Sequence, residues 1–285
     1  MKTFFYLIVL LLISVPAFAA EEFILWKDGA PNALGNEAKD IPKMLLYLAP
    51  QSNRTGTAVV VCPGGGYGAL AMDHEGDQIG QWFQSIGVSA FILDYRHRNK
   101  GYGHPNPLLD VQRAIRTVRA NAASWNVRPD RIGVMGFSAG GHLASTAGTH
   151  FDAGDSKNSD PVEKASCRPD FMILCYPVIL FNSENTHRGT QQNLLGNDPP
   201  KELLDYYSNE KRVTAQTPRT FIFQTDEDEP VPAENAVAFY LALRKHKVPA
   251  EMHIFEKGPH GVGLAKGQSG NEIWPELCRI WLERE

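Results

Sequence analysis

Three residue types follow one another in an order that could carry nucleophilic chemistry: a serine between glycines, a later carboxylate cluster, and a glycine-flanked histidine. Gly136-Phe137-Ser138-Ala139-Gly140 has the spacing of a nucleophile elbow, in which a strand turns sharply into a helix with serine at the apex. Glycines at the flanks let strand and helix close up, and the serine then lies at a helix N-terminus that favours developing negative charge. A serine hydroxyl is a poor nucleophile until a base takes its proton, so it needs a histidine and an acid to orient that histidine. Asp226-Glu227-Asp228-Glu229 offers the acid, and Gly258-Pro259-His260-Gly261 offers the base. Among nine histidines, His260 alone stands in a glycine-rich loop just past a strand-like run. His142 reads as a core histidine and His74 as a helix-start residue.

The tetrahedral oxygen of an acyl transfer needs backbone N–H donors. One is expected from Ala139, and others from the glycine loop of Cys62-Pro63-Gly64-Gly65-Gly66-Tyr67. That loop fits neither the dinucleotide glycine spacing nor a Walker loop, which would need Gly-Lys-Ser/Thr. No Cys-x-x-Cys or His-x-x-x-His spacing points to a metal, and the acidic run at 226–229 lacks the alternating Asn or Gly of a calcium loop. Neither metal nor cofactor is expected. Cys62, Cys175 and Cys278 lie in apolar runs and read as buried thiols.

Short apolar, β-branched runs at 57–62, 88–94, 171–179, 220–224 and 252–255 read as buried strands, with earlier strands at 23–26 and 44–48. Helical spacing recurs at 76–86, at 233–245 and at 273–282. Another helix begins at Asn106-Pro107, with Asn106 as its N-cap. Alternating strands and helices predict a mostly parallel sheet covered on both faces. The stretch 181–218, rich in Asn, Thr and Gly, carries a short helix around Leu203, Leu204 and Tyr207 and is a candidate cap over the site. Its Asn182, Asn185, Thr186, Thr190, Gln191, Gln192 and Asn193 suit a hydroxyl-rich substrate.

The 285 residues are 43% hydrophobic and 21% charged, enough for a sizeable core. A net charge of −4 argues against a nucleic-acid partner, and Arg113, Arg116 and Arg119 read as a solvated helix face. Residues 1–19 have the form of a signal peptide: Lys2, an apolar run, then Ala17-Phe18-Ala19 as the cleavage site. Its removal takes Lys2 with it and leaves residues 20–285 as an exported catalytic domain, periplasmic or secreted, with no membrane contact. The oligomeric state is not legible.

Together with Asp73-His74-Glu75-Gly76 and Asp228-Glu229-Pro230-Val231-Pro232, these motifs resemble secreted bacterial α/β-hydrolases of the acetylxylan-esterase-like group, which are also labelled esterases, lipases or xylanases. The resemblance covers about 26–282. It implies an α/β-hydrolase fold, with Ser138 as nucleophile, His260 as base and Asp228 as acid. It also implies Gly65, Gly66 and Ala139 as oxyanion donors. Tyr67 and Glu75 are expected to contact substrate. Two departures are Pro63, where related esterases carry His, and Glu227, where a second Asp is common; Asp226 stays a rival for the acid. The expected activity is hydrolysis of short acyl esters, chiefly acetyl, on xylan or its oligosaccharides. A general short-chain carboxylesterase is the alternative, with a serine peptidase or a non-catalytic binding module behind it.

Overall fold

The computed structural model describes residues 21–268 and 270–284; the expected signal peptide lies outside them. Eight strands form one sheet in the order β1-β2-β4-β3-β5-β6-β7-β8. They are β1 Glu21–Ile24, β2 Lys43–Tyr47, β3 Ala58–Cys62, β4 Ser89–Asp94, β5 Ile132–Phe137, β6 Phe171–Cys175, β7 Arg219–Thr225 and β8 Ala250–Phe255. Strands β1 and β2 run antiparallel at one edge, and β4 through β8 with β3 are parallel.

Every residue of β3, β5 and β6 is buried, which is why they read as unbroken apolar runs rather than alternating ones. Their side chains alternate between two cores. Val60 and Cys62 pack with α2 (Asn106–Ala120), α3 (Ala139–Thr149) and α6 (Glu234–Lys245) through Val111, Ile115, Leu143 and Phe239. Val59 and Val61 face α1 (Gln78–Ser85) and α7 (Trp274–Glu283) through Ile79, Phe83, Trp274 and Trp281. The stretch 181–218 holds α4 (Arg188–Leu195) and α5 (Lys201–Tyr206), a more helical insertion than its polar composition suggested.

Several expectations need correction. The run 171–179 is not all strand: β6 stops at Cys175 because Tyr176 turns to φ 38° and Pro177 follows, a residue with no N–H for a ladder. Helix α2 is preceded by Pro105 rather than capped by Asn106, whose amide donates to Gly103 O at 3.0 Å instead. A π-helical turn at Asp73–Asp77 leads into α1. Nor is the arginine row of α2 solvated. Arg113 and Arg116 are both 7% exposed. Arg113 pairs with Asp160 and Glu163 at 2.6 and 2.7 Å, Arg116 with Asp152 at 2.6 Å, and Arg119 with Asp170 at 2.9 Å. The row ties the loop between α3 and β6 to α2. All four cysteines are free and buried. No helix among the described residues is long and apolar enough to cross a membrane.

Candidate active site

Strand β5 delivers Ser138 into a backbone conformation that side chains rarely adopt, φ 54° and ψ −121°, before α3 begins at Ala139. The flanking glycines are obligatory for a steric reason. A Cβ on Gly136 would lie 2.0 Å from Gly140 O, and one on Gly140 would lie 2.0 Å from Cys62 O. Strand β6 braces the turn from the side, with Ser138 N–H donating to Cys175 O and Val178 N–H to Ser138 O.

The loops after β7 and β8 complete a relay. His260 Nε2 lies 2.8 Å from Ser138 Oγ, and its Nδ1 lies 2.7 Å from Asp228 Oδ2. The other Asp228 oxygen accepts the Val231 N–H at 2.9 Å, and the side chain is fully buried. An anionic acceptor at Nδ1 fixes the tautomer that leaves Nε2 free to take the serine proton. Asp226 is exposed, and Glu227 pairs with Lys257 at 2.7 Å. The three groups meet from three separate strand ends.

The glycine loop after β3 lies against the serine: a Cβ on Gly64 would be 3.0 Å from Ser138 Cβ. Gly64 N–H is committed to Glu75 Oε2 at 2.7 Å and is not available to an oxyanion, which leaves the expected donors Gly65 and Gly66 as the candidates in this loop. Their directions are set by their neighbours, because N–H and C=O point opposite ways in a trans peptide. The carbonyl before Gly65 N–H accepts from Ala71 N–H, and the carbonyl before Gly66 N–H accepts from Gly68 and Ala69. Neither N–H has a protein acceptor among the described residues, and Ala139 N–H opens α3 beside them.

Tyr67 and Glu75 were expected at the substrate, but the structure buries them, at 1% and 2% exposure. Tyr67 OH lies 2.9 Å from His142 Nδ1, while His142 Nε2–H donates to Tyr207 O at 2.9 Å. His142 is thus a satisfied neutral core imidazole stacked on Phe181, and burial pushes it down to about 3. Most polar side chains of the insertion are likewise spent internally. Asn182 donates to Asp205, Thr190 bonds His187 at 2.7 Å, and Gln191 donates to Phe181 O. Asn193 Nδ2 donates to Gly66 O at 2.8 Å, which seats α4 on the oxyanion loop. Tyr176, which nothing in the sequence singles out, donates its O–H to Glu75 Oε1.

A mostly parallel sheet with a serine elbow after β5, an acid after β7 and a histidine after β8 defines an α/β-hydrolase. The comparison with known proteins is more specific: the BD-FAE family model matches residues 44–243, and the chain belongs to that family. It is 39% identical over 240 residues to endo-1,4-beta-xylanase B of Butyrivibrio fibrisolvens, covering 81% of this chain and 37% of that protein. It is 34% identical to an acetylxylan esterase of Xylanibacter ruminicola, covering 80% and 45%. The chain therefore spans less than half the length of these relatives. Among solved structures, the acetyl ester-xyloside bifunctional hydrolase of Caldicellulosiruptor lactoaceticus is similar at 44% identity and TM-score 0.87, over 93% of this chain and 96% of that one.

Proposed function

We propose that this protein is a serine carboxylesterase that removes short acyl groups, chiefly acetyl, from carbohydrate such as xylan or xylo-oligosaccharides. The observation that carries it is the Ser138–His260–Asp228 relay, with contacts of 2.8 and 2.7 Å. Ser138 Oγ attacks the acyl carbon as its proton passes to His260 Nε2. The oxyanion is held by the N–H groups of Gly65, Gly66 and Ala139. His260 gives the proton to the leaving sugar hydroxyl, and water repeats the sequence on the acyl-enzyme. The carbohydrate side of the reading draws on the acetylxylan esterase and acetyl ester-xyloside hydrolase relatives. The leader-like residues 1–19 support export to the compartment where such polymers are met.

Glycosidic cleavage is a different chemistry, needing two carboxyl groups free to flank the bond. The two carboxylates built into this site are engaged on both oxygens, Asp228 with His260 and Val231, and Glu75 with Gly64 and Tyr176. The test compares p-nitrophenyl acetate with the octanoate, acetylated xylo-oligosaccharides, and deacetylated xylan. Acetate release, faster acetyl than octanoyl turnover, and no new reducing ends are expected. Ser138→Ala should lower kcat by roughly 10⁴- to 10⁶-fold. Faster octanoyl turnover would favour the general carboxylesterase, and reducing ends from deacetylated xylan would refute the reading.

A further inference from the structure

The wall between the oxyanion loop and the histidine loop contains a buried carboxylate that the hydrolytic relay does not use. Glu75, on the π-helical turn before α1, has donors on both oxygens: Gly64 N–H at 2.7 Å and Tyr176 O–H at 2.8 Å. Tyr176 oxygen in turn accepts the Gly263 N–H at 2.9 Å, three residues beyond His260. The Tyr176 ring stands edge-on to the His260 imidazole, with centroids 5.0 Å apart. Gly263 is itself confined: a Cβ there would meet His74 O at 2.5 Å, and its carbonyl accepts from Trp274 Nε1 at 3.1 Å. One unbroken path of hydrogen bonds thus runs from the glycine loop to the segment that carries the base.

We propose that Glu75 and Tyr176 form a positioning pair that holds the oxyanion-binding glycines and the His260 loop in fixed register about Ser138. The inference rests on the serine-esterase reading above. Gly64 is clamped at both ends of its backbone: Glu75 holds the peptide before it through Gly64 N–H, and Ala71 N–H holds, through Gly64 C=O, the peptide that presents Gly65 N–H. The fold accepts a left-handed backbone at Tyr176, φ 38°, to bring its hydroxyl between Glu75 and Gly263. The Tyr176 hydroxyl accepts from Gly263 and donates to Glu75, so Glu75 serves as acceptor only. Burial pushes the Glu75 carboxyl up, and the bonds from Tyr176 and Gly64 pull it back down. Catalytic geometry displaced by about 1 Å can cost on the order of 100-fold in rate, so a pair that fixes two loops at once acts on kcat rather than on binding.

Glu75→Gln and Tyr176→Phe test the pair, singly and together, with p-nitrophenyl acetate. Glutamine still accepts from Gly64 but presents an amide N–H to a tyrosine that needs an acceptor. Phenylalanine removes one oxygen and leaves the ring against His260. Each single variant should lower kcat by roughly 10- to 100-fold with KM within about threefold, at unchanged far-UV circular dichroism. Because the two act through one connection, the double variant should fall no further than the weaker single variant. If Glu75→Gln does not fold, Tyr176→Phe alone decides. A Tyr176→Phe kcat within twofold of wild type, or losses that multiply in the double variant, would overturn the pair. Labelling of wild type, but not of Ser138→Ala, by a fluorophosphonate checks the serine-esterase reading separately. Wild-type labelling with an unaffected Tyr176→Phe would therefore sink only this inference.

Discussion

Asp228 has both oxygens occupied, one by the Val231 N–H and one by His260, and this favours it over its neighbour Asp226 as the proposed acid. An orienting carboxylate must be held still, and Asp226, exposed to solvent, has no such restraint. Asp228→Asn should therefore lower kcat by roughly 10³- to 10⁴-fold, because the amide no longer stabilises the tautomer with a free Nε2. Asp226→Asn should stay within about threefold. Kinetics of the purified variants would check this, and the opposite ranking would transfer the acid's role to Asp226. That Ser138 and His260 would meet, as they do at 2.8 Å, was legible from glycine spacing and chain order. The choice among four adjacent acidic residues was not legible from spacing, since only the loop's path decides which carboxylate turns inward.

At the scale of elements, the buried strands were readable because full burial leaves an unbroken apolar run, and a helix leaves a 3.6-residue period. What could not be read was partnership between segments distant in the chain. The arginines of α2 look like a solvated row until Asp152, Asp160, Glu163 and Asp170 arrive from the loop between α3 and β6. The polar stretch before β7 looks like a sugar-binding surface, yet its amides mostly close the insertion on itself and on the glycine loop. Asn193 is the telling case. Its bond to Gly66 O makes α4 a support for the glycine loop proposed to bind the oxyanion, so Asn193→Ala should lower kcat by about 3- to 10-fold with little change in KM. Asn193→Asp, which presents an acceptor to a carbonyl, should cost more. Equal kcat in all three proteins would show that α4 merely covers the loop.

The molecule buries His142 and half-buries His150 around α3, and this sets a pH limit on stability distinct from any effect on rate. Burial pushes His142 down to about 3 and His150 down to about 4, the latter helped by nearby Arg212. An unfolded chain protonates both near 6.5, whereas the folded chain keeps them neutral. The unfolded state then binds more protons as pH falls below about 6.5, so stability declines with acidification. The contribution is fully present above about 6.5 and is lost progressively toward the folded values. For His142 alone, which is completely enclosed and hydrogen-bonded at both nitrogens as a neutral ring, the loss between pH 8 and pH 5 is roughly 2 kcal/mol. Urea midpoints should therefore fall from pH 8 to pH 5. The same titration on His142→Gln should give a lower midpoint at pH 8, because Tyr67 and Tyr207 lose a fitted partner, but a shallower slope toward acid. A slope equal to wild type would mean that His142 takes no part in the acid lability, and that carboxylates elsewhere in the chain account for it.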